Sequence, residues 1–153
     1  MNPSLARAGL TFPRCSRLRR SSDFRRVQGR GYRVRRPSLL VLWLPRSDHS
    51  DSRVGLTVSK KVGNAVVRNR VKRWLREAVR HELDTLARPV DVVLIAHPRA
   101  AESGAEGLRA EVRGAFRELM RDPPQERSSR RRKRPGPSHR KKPRRPPSEP
   151  KST

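Results

Sequence analysis

Residues 53–80 read RVGLTVSKKVGNAVVRNRVKRWLREAVR, and a change of period inside that stretch sets the architecture. From Arg53 to Lys60 the apolar residues Val54, Leu56 and Val58 alternate with small or polar ones, the two-residue repeat of a strand with one buried face. Gly63 and Asn64 interrupt it. Asn64 suits an N-cap, because its side-chain oxygen can accept an amide proton that the first helical turn leaves unpaired. Beyond it the repeat becomes helical as far as the mid-80s. At about 100° per residue, Val67, Val71, Trp74, Leu75, Ala78 and Val79 share one arc, while Arg68, Asn69, Lys72, Arg73, Arg76 and Arg80 share the adjoining one. The first arc is expected to pack and the second to face outward.

Upstream, Ser38 to Leu44 (SLLVLWL) is a nearly continuous apolar run closed by Pro45, and the polar, turn-rich residues 45–52 follow it. That pattern predicts a hairpin whose second arm is the strand from Arg53 to Lys60. Earlier still, Ser22 and Asp23 are expected to cap a short helix carrying Phe24 and Val27, with Gly29 and Gly31 ending it and extended chain after it. Downstream, VDVVLIA over residues 90–96 lies between Pro89 and His97-Pro98 and reads as an interior strand. Leu108, Val112, Ala115, Phe116 and Leu119 then recur at helical spacing until Pro123 and Pro124. The order α-β-β-β-α-β-α implies an α/β fold, a small two-layer sandwich with helices against one face of a sheet.

The 153 residues have room for one domain and an extension. Lys and Arg number 39 against 14 Asp and Glu, a formal charge of +25. Such an excess opposes compaction unless a polyanion neutralises it, so nucleic acid is the favoured partner and an anionic membrane surface the weaker one. No run of about 18 apolar residues is present, so no membrane span is expected. Residues 121–153 hold 13 Lys or Arg, 3 acids and 8 Pro with no aliphatic or aromatic side chain, which describes a disordered basic tail. Residues 1–22, with five Arg and no acid, have the composition of an organellar transit peptide. Because the basicity continues throughout the chain, they are read instead as a basic arm over 1–14 leading into a domain over 15–120. The single cysteine, Cys15, forbids an internal disulfide and suits the cytoplasm, and the four scattered histidines have no metal-site spacing.

Chemistry concentrates between Lys60 and Arg80, where eight basic residues meet one acid, Glu77. A basic helical face is commonly only a solvated one. Here arginine is preferred to lysine on the helix, and its planar fork suits bidentate phosphate contact. Acids that would form i,i+4 pairs are nearly missing, leaving the positive field uncompensated. Asn69 sits among the arginines with both a donor and an acceptor, able to read a 2′-hydroxyl or a base edge.

This stretch closely resembles the signature of the bacterial ribonuclease P protein family, whose hallmark is an Arg-Asn-Arg triplet, here Arg68, Asn69 and Arg70. The resemblance extends upstream through Arg17-Leu18, Asp23-Phe24, Val27 and Gly31 and downstream through VDVVLIAHP, about residues 15–120. It implies a subunit that binds a large catalytic RNA, in a holoenzyme that removes the 5′ leader from precursor tRNA by Mg2+-dependent hydrolysis. The RNA would carry the reaction and hold most of the Mg2+, and the protein alone would be inactive. By the same resemblance Arg68, Asn69, Arg70, Lys72, Arg73 and Arg76 would lie against the RNA subunit. Phe24, Arg17 and the exposed side of the sheet would receive the leader, and Arg53, Lys60 and Lys61 would add phosphate contacts. The family also implies a left-handed β-α-β connection between Arg53 and Ala96, against the usual hand. Neither a membrane nor an obligate protein partner is implied.

The chain departs from some relatives in the leader cleft, with Gln28 and Leu42 where they carry aromatics. Each lost platform forgoes about 1–3 kcal/mol of stacking per base, shifting affinity towards charge. Phe24 also has a plain structural reading, as a core residue beside Val27. Two rival functions remain open on the residues alone. A protein-only nuclease would have only His81 beside Glu82, and His97, as candidate acid or base. A structural or chaperoning RNA-binding protein, such as a ribosome-associated one, would need the basic helix and tail but no precursor tRNA.

Overall fold

The computed structural model describes residues 12–48 and 50–121. The basic tail from residue 122 and the arm through residue 11 lie outside them. Three helices and four strands follow in the expected order: α1 (Ser21–Arg30), β1 (Tyr32–Arg35), β2 (Leu39–Pro45), β3 (Arg53–Val58), α2 (Ala65–Glu82), β4 (Val90–Ala96) and α3 (Gly104–Arg121).

The strands do not pair as their sequence order suggests. The sheet order is β1-β2-β4-β3, with β4 antiparallel to β2 and parallel to β3. The expected hairpin between the 38–44 run and the 53–60 strand is therefore absent, and β4 lies between its two arms. Val90, Val92, Val93 and Leu94 have no exposed surface. A strand that is apolar on both faces has to be covered on both and hydrogen-bonded along both edges, which only an interior place provides. The real hairpin is β1–β2, closed by the Arg36 amide on the Leu39 carbonyl at 2.8 Å.

Two cores result. On one face Val34, Val41, Trp43, Val54, Val92 and Leu94 meet Val71, Leu75, Ala78 and Val79 of α2 and Leu108, Val112, Ala115, Phe116 and Leu119 of α3. This is the expected sandwich, and the apolar arc of α2 is the arc that packs. The opposite face carries a smaller core, where Val27 of α1 and Leu18 cover Leu42 and Val93. Sequence reasoning placed helices on one face only, yet α1 takes the other. Its boundaries differ too. It begins at Ser21 behind Arg20, with no side-chain cap, and runs through Gly29 before stopping at Gly31. Asp23 is unavailable for capping because its carboxylate pairs with Arg53 at 3.3 Å and Arg26 at 3.4 Å.

The ion cluster that holds α1 is centred on Asp91 of β4, which has no exposed surface. Arg53 grips it with two bonds of 2.8 Å, Arg26 reaches it from α1 at 2.5 Å, and Arg46 stands 3.5 Å away. One buried carboxylate thus joins α1, β3 and the segment after β2. Removing it would leave the mostly buried Arg53 with only the Asp23 contact at 3.3 Å, while Arg46 keeps Asp48, and breaking such a buried pair costs about 3–5 kcal/mol. Asp91→Asn is accordingly expected to lose about that much stability in urea unfolding, whereas an unmoved midpoint would show that the cluster contributes little.

Candidate nucleic-acid interface

The switch from β3 to α2 turns basic side chains outward. A short 3-10 turn, Lys60–Val62, follows the strand, and because Val62 is buried, Lys60 and Lys61 are left in solvent. Gly63 then adopts φ 149°, a conformation that side chains disfavour, and a Cβ there would stand 3.0 Å from the Val67 side chain. Asn64 caps the helix as its position predicts, accepting the Val67 amide at 3.0 Å. No acid occupies the first turn of α2, so the positive end of its dipole lies unneutralised beside the two lysines.

Asn69, Arg70, Arg73 and Arg76 are exposed, and Arg68 and Lys72 are half-buried. Arg68 donates to the Gly63 carbonyl at 3.0 Å, which ties its guanidinium to the turn. Successive helical residues step by about 100°, so Arg68 and Arg70 diverge by about 160° and Asn69 lies between them. The triplet wraps the helix rather than lining one face. Asn69, Arg73 and Arg76 form the outward ridge, flanked by exposed Arg70 on one side and by half-buried Arg68 and Lys72 on the other.

The acids of α2 are occupied. Glu82 is buried and accepts from Arg113 of α3 at 2.9 Å. Glu77 is held by Arg80 and His81, and chiefly the Arg80 hydrogen bonds lower its carboxyl to about 2. Arg80, assigned to the basic arc by sequence, is consumed by that pair, and its own pKa is raised for the same reason. Among the described residues, no acid lies within ion-pair distance of Arg70, Lys72, Arg73 or Arg76.

Two expected site residues are placed elsewhere. All three guanidinium nitrogens of Arg53 are engaged by Asp91 and Asp23, so it braces α1 and has no free fork for a phosphate. Arg17 lies on a short extended segment that docks on the outer edge of β3 through Val54. The backbone sends Leu18 towards Phe24 and Arg17 away, onto the Phe12 carbonyl at 2.7 Å and over its ring.

Phe24 fulfils the structural one of its two sequence readings. Half-buried, it packs with Leu18 and Val27, and its ring lies so close over Gly55 that a Cβ there would stand 2.5 Å from it. Gln28 is exposed on α1, and Leu42 is only 3% exposed beneath the helix, so it is closed to any ligand. Beyond Leu42 on this face is the next register row, where Arg35, Leu40, Ile95 and Thr57 lie side by side across the four strands, with Leu40 and Ile95 packed partly against the small core. Leu40, Ile95 and Thr57 are half-buried, and Arg35 and its neighbour on the same face, Arg33, are exposed. Sequence reasoning passed over Arg33 and Arg35, although the alternation in Tyr-Arg-Val-Arg carries the signal: burying Val34 turns both arginines to the other side.

The model for the family Ribonuclease P matches residues 12–120. The ribonuclease P protein component of Bacillus velezensis is 39% identical over 67% of this chain and 87% of its own length. That of Gluconacetobacter diazotrophicus is 49% identical over 54% and 72%. Among solved structures, the RNase P protein of Thermotoga maritima superposes with a TM-score of 0.60 at 26% identity, covering 67% of this chain and 96% of its own. A mutant of the Staphylococcus aureus RNase P protein gives 0.64 at 26% identity, covering 69% and 88%. The likeness therefore spans the whole folded body and includes the Arg68–Arg70 helix.

The Glu77 cluster yields a direct check. A carboxyl lowered from 4.5 to about 2 keeps its ion pair at any pH above the unfolded value and loses it as pH falls through about 2. NMR titration should place the Glu77 midpoint near 2, and Arg80→Gln should raise it towards 4.5. A midpoint near 4.5 in the parent protein would mean that Arg80 is free to join the basic ridge.

Proposed function

The chain belongs to the ribonuclease P protein family, and from that membership we propose that the α2 ridge docks on the enzyme's RNA subunit while the half-covered sheet receives the 5′ leader of precursor tRNA. It is the protein component of a ribonuclease, an RNA-binding subunit that acts in tRNA processing with an RNA partner. The observation that carries the docking assignment is the set of cations on α2, Arg70, Lys72, Arg73 and Arg76, standing without acid partners on a rigid helix. A helix capped by Asn64 and packed along its apolar arc holds those charges in fixed register, which favours one RNA shape over a generic polyanion.

In this reading the RNA carries hydrolysis. Asp91, Asp23, Glu77 and Glu82 are each engaged by arginine and are therefore poor ligands for a hard cation. Magnesium is accordingly assigned to the RNA, and the protein's residues bind and orient. His81 lines a pocket between α2 and α3 with Glu77 and Glu106, but Glu77 there is held by Arg80, and His97 follows β4. No helix of the described residues is long and apolar enough to cross a membrane. We place the work in the cytoplasm, where the exposed Cys15 thiol stays reduced. A purely structural or chaperoning RNA-binding role is the alternative, and the family does not favour it.

Two experiments test the proposal. Cleavage of precursor tRNA by the cognate RNA at low Mg2+ should accelerate when this chain is added, and the chain alone should cleave nothing. Unchanged cleavage would favour the chaperoning role. Arg70→Ala or Arg73→Ala should weaken binding to the RNA subunit and make log affinity fall less steeply with log salt, by about 0.7–0.9 per lost phosphate contact. An unaltered slope would remove that arginine from the interface.

A further inference from the structure

We propose that Arg33 and Arg35 hold phosphates of the leader at the β1 edge of the cleft. This rests on the leader reading above and adds to it a binding mode.

Arg35 stands opposite Leu40, Leu40 opposite Ile95, and Ile95 opposite Thr57, so this half-buried row crosses the whole sheet. Three inter-strand steps of about 4.8 Å give it a length of roughly 14 Å. Its floor is apolar and half-buried at Leu40 and Ile95. Lys60 and Lys61 follow the β3 end of the row, and Arg35 closes the β1 end with Arg33 beside it. Neither Arg33 nor Arg35 has a hydrogen bond or an ion pair among the described residues. Their neighbour Arg36, by contrast, is engaged by Glu118 at 2.7 Å. Two exposed, uncompensated guanidiniums at the open end of an apolar floor suit the phosphodiester backbone of a single strand whose bases lie on that floor. With Leu42 shut beneath α1 and Gln28 in place of a ring, the cleft offers little stacking surface besides Phe24. Charge on β1 therefore supplies affinity that stacking does not, without regard to leader sequence.

The test uses the holoenzyme reconstituted from the full chain and its cognate RNA, with precursor tRNAs bearing either a long leader or a single-nucleotide leader. The R33Q/R35Q protein should bind the long-leader precursor about tenfold more weakly, and its log affinity should fall less steeply with log salt by about 1.4. Binding of the short-leader precursor and of the RNA subunit should be unchanged, and R33K/R35K should recover most of the loss. Both side chains are exposed, so the thermal unfolding midpoint should not move. Equal weakening for both precursors, or weaker binding to the RNA subunit, would place these arginines on another RNA element and overturn the proposal. Undiminished long-leader binding would do the same. If the parent holoenzyme itself binds both precursors equally, the leader reading fails and takes this one with it, an outcome distinct from a leader-length preference that survives in the variant.

Discussion

A single buried carboxylate organises this arginine-rich chain. Asp91 lies on the central strand with no exposed surface and engages Arg26 and Arg53, with Arg46 nearby. A charge in that position is tolerated only when paired and hydrogen-bonded. The pairing draws α1 onto the sheet face opposite α2 and α3 and so creates the second core. It also sets the limits of the cleft, since the small core buries Leu42 and Val93 while Leu40 and Ile95 of the next row keep some exposure.

Arginine serves two purposes in this molecule, and the positions of the few acids decide which. Where an acid is at hand, arginine is structural. Arg53 braces α1, Arg113 staples α3 to the Glu82 carboxylate of α2, Arg36 ties β1 to Glu118, and Arg80 is taken by Glu77. Where no acid is at hand, the charge remains available to a polyanion. The α2 ridge and the β1 edge are the two such places that bear on the functional reading. They are separated by the sheet, so the proposed docking and leader contacts fall on opposite faces. Net charge would predict affinity for RNA in general, whereas the internal pairing restricts it to particular faces.

The cleft illustrates how packing alters a side chain's role. Phe24 is held over Gly55 as part of the small core, so any base stacking on it would meet a ring already fixed by Leu18 and Val27. A fixed platform loses little entropy on binding. Leu42, at a position where an aromatic would suggest a platform, lies under the same helix and offers nothing to a ligand.

Most of the fold and the basic helix were legible without coordinates, because both rest on local periodicity. The element order, the Asn64 cap, the packing arc of α2 and the interior nature of β4 follow from residue spacing within single segments, and the family resemblance rests on the motif around Arg68, Asn69 and Arg70. What spacing could not supply was which distant segments meet. The hairpin expected from the 45–52 turn lost to β4, because a strand apolar on both faces needs neighbours on both sides. Arg53 looked like a phosphate ligand until Asp91, 38 residues later in the chain, occupied its fork. Arg33 and Arg35 looked like ordinary surface charge until the register placed them at the end of a half-buried apolar row. Period and composition reside in neighbouring residues, so the sequence alone determines the elements and the sign of the partner. Ion pairing and exposure depend on contacts between residues far apart in the chain, and only the tertiary structure decides which arginines remain free to bind.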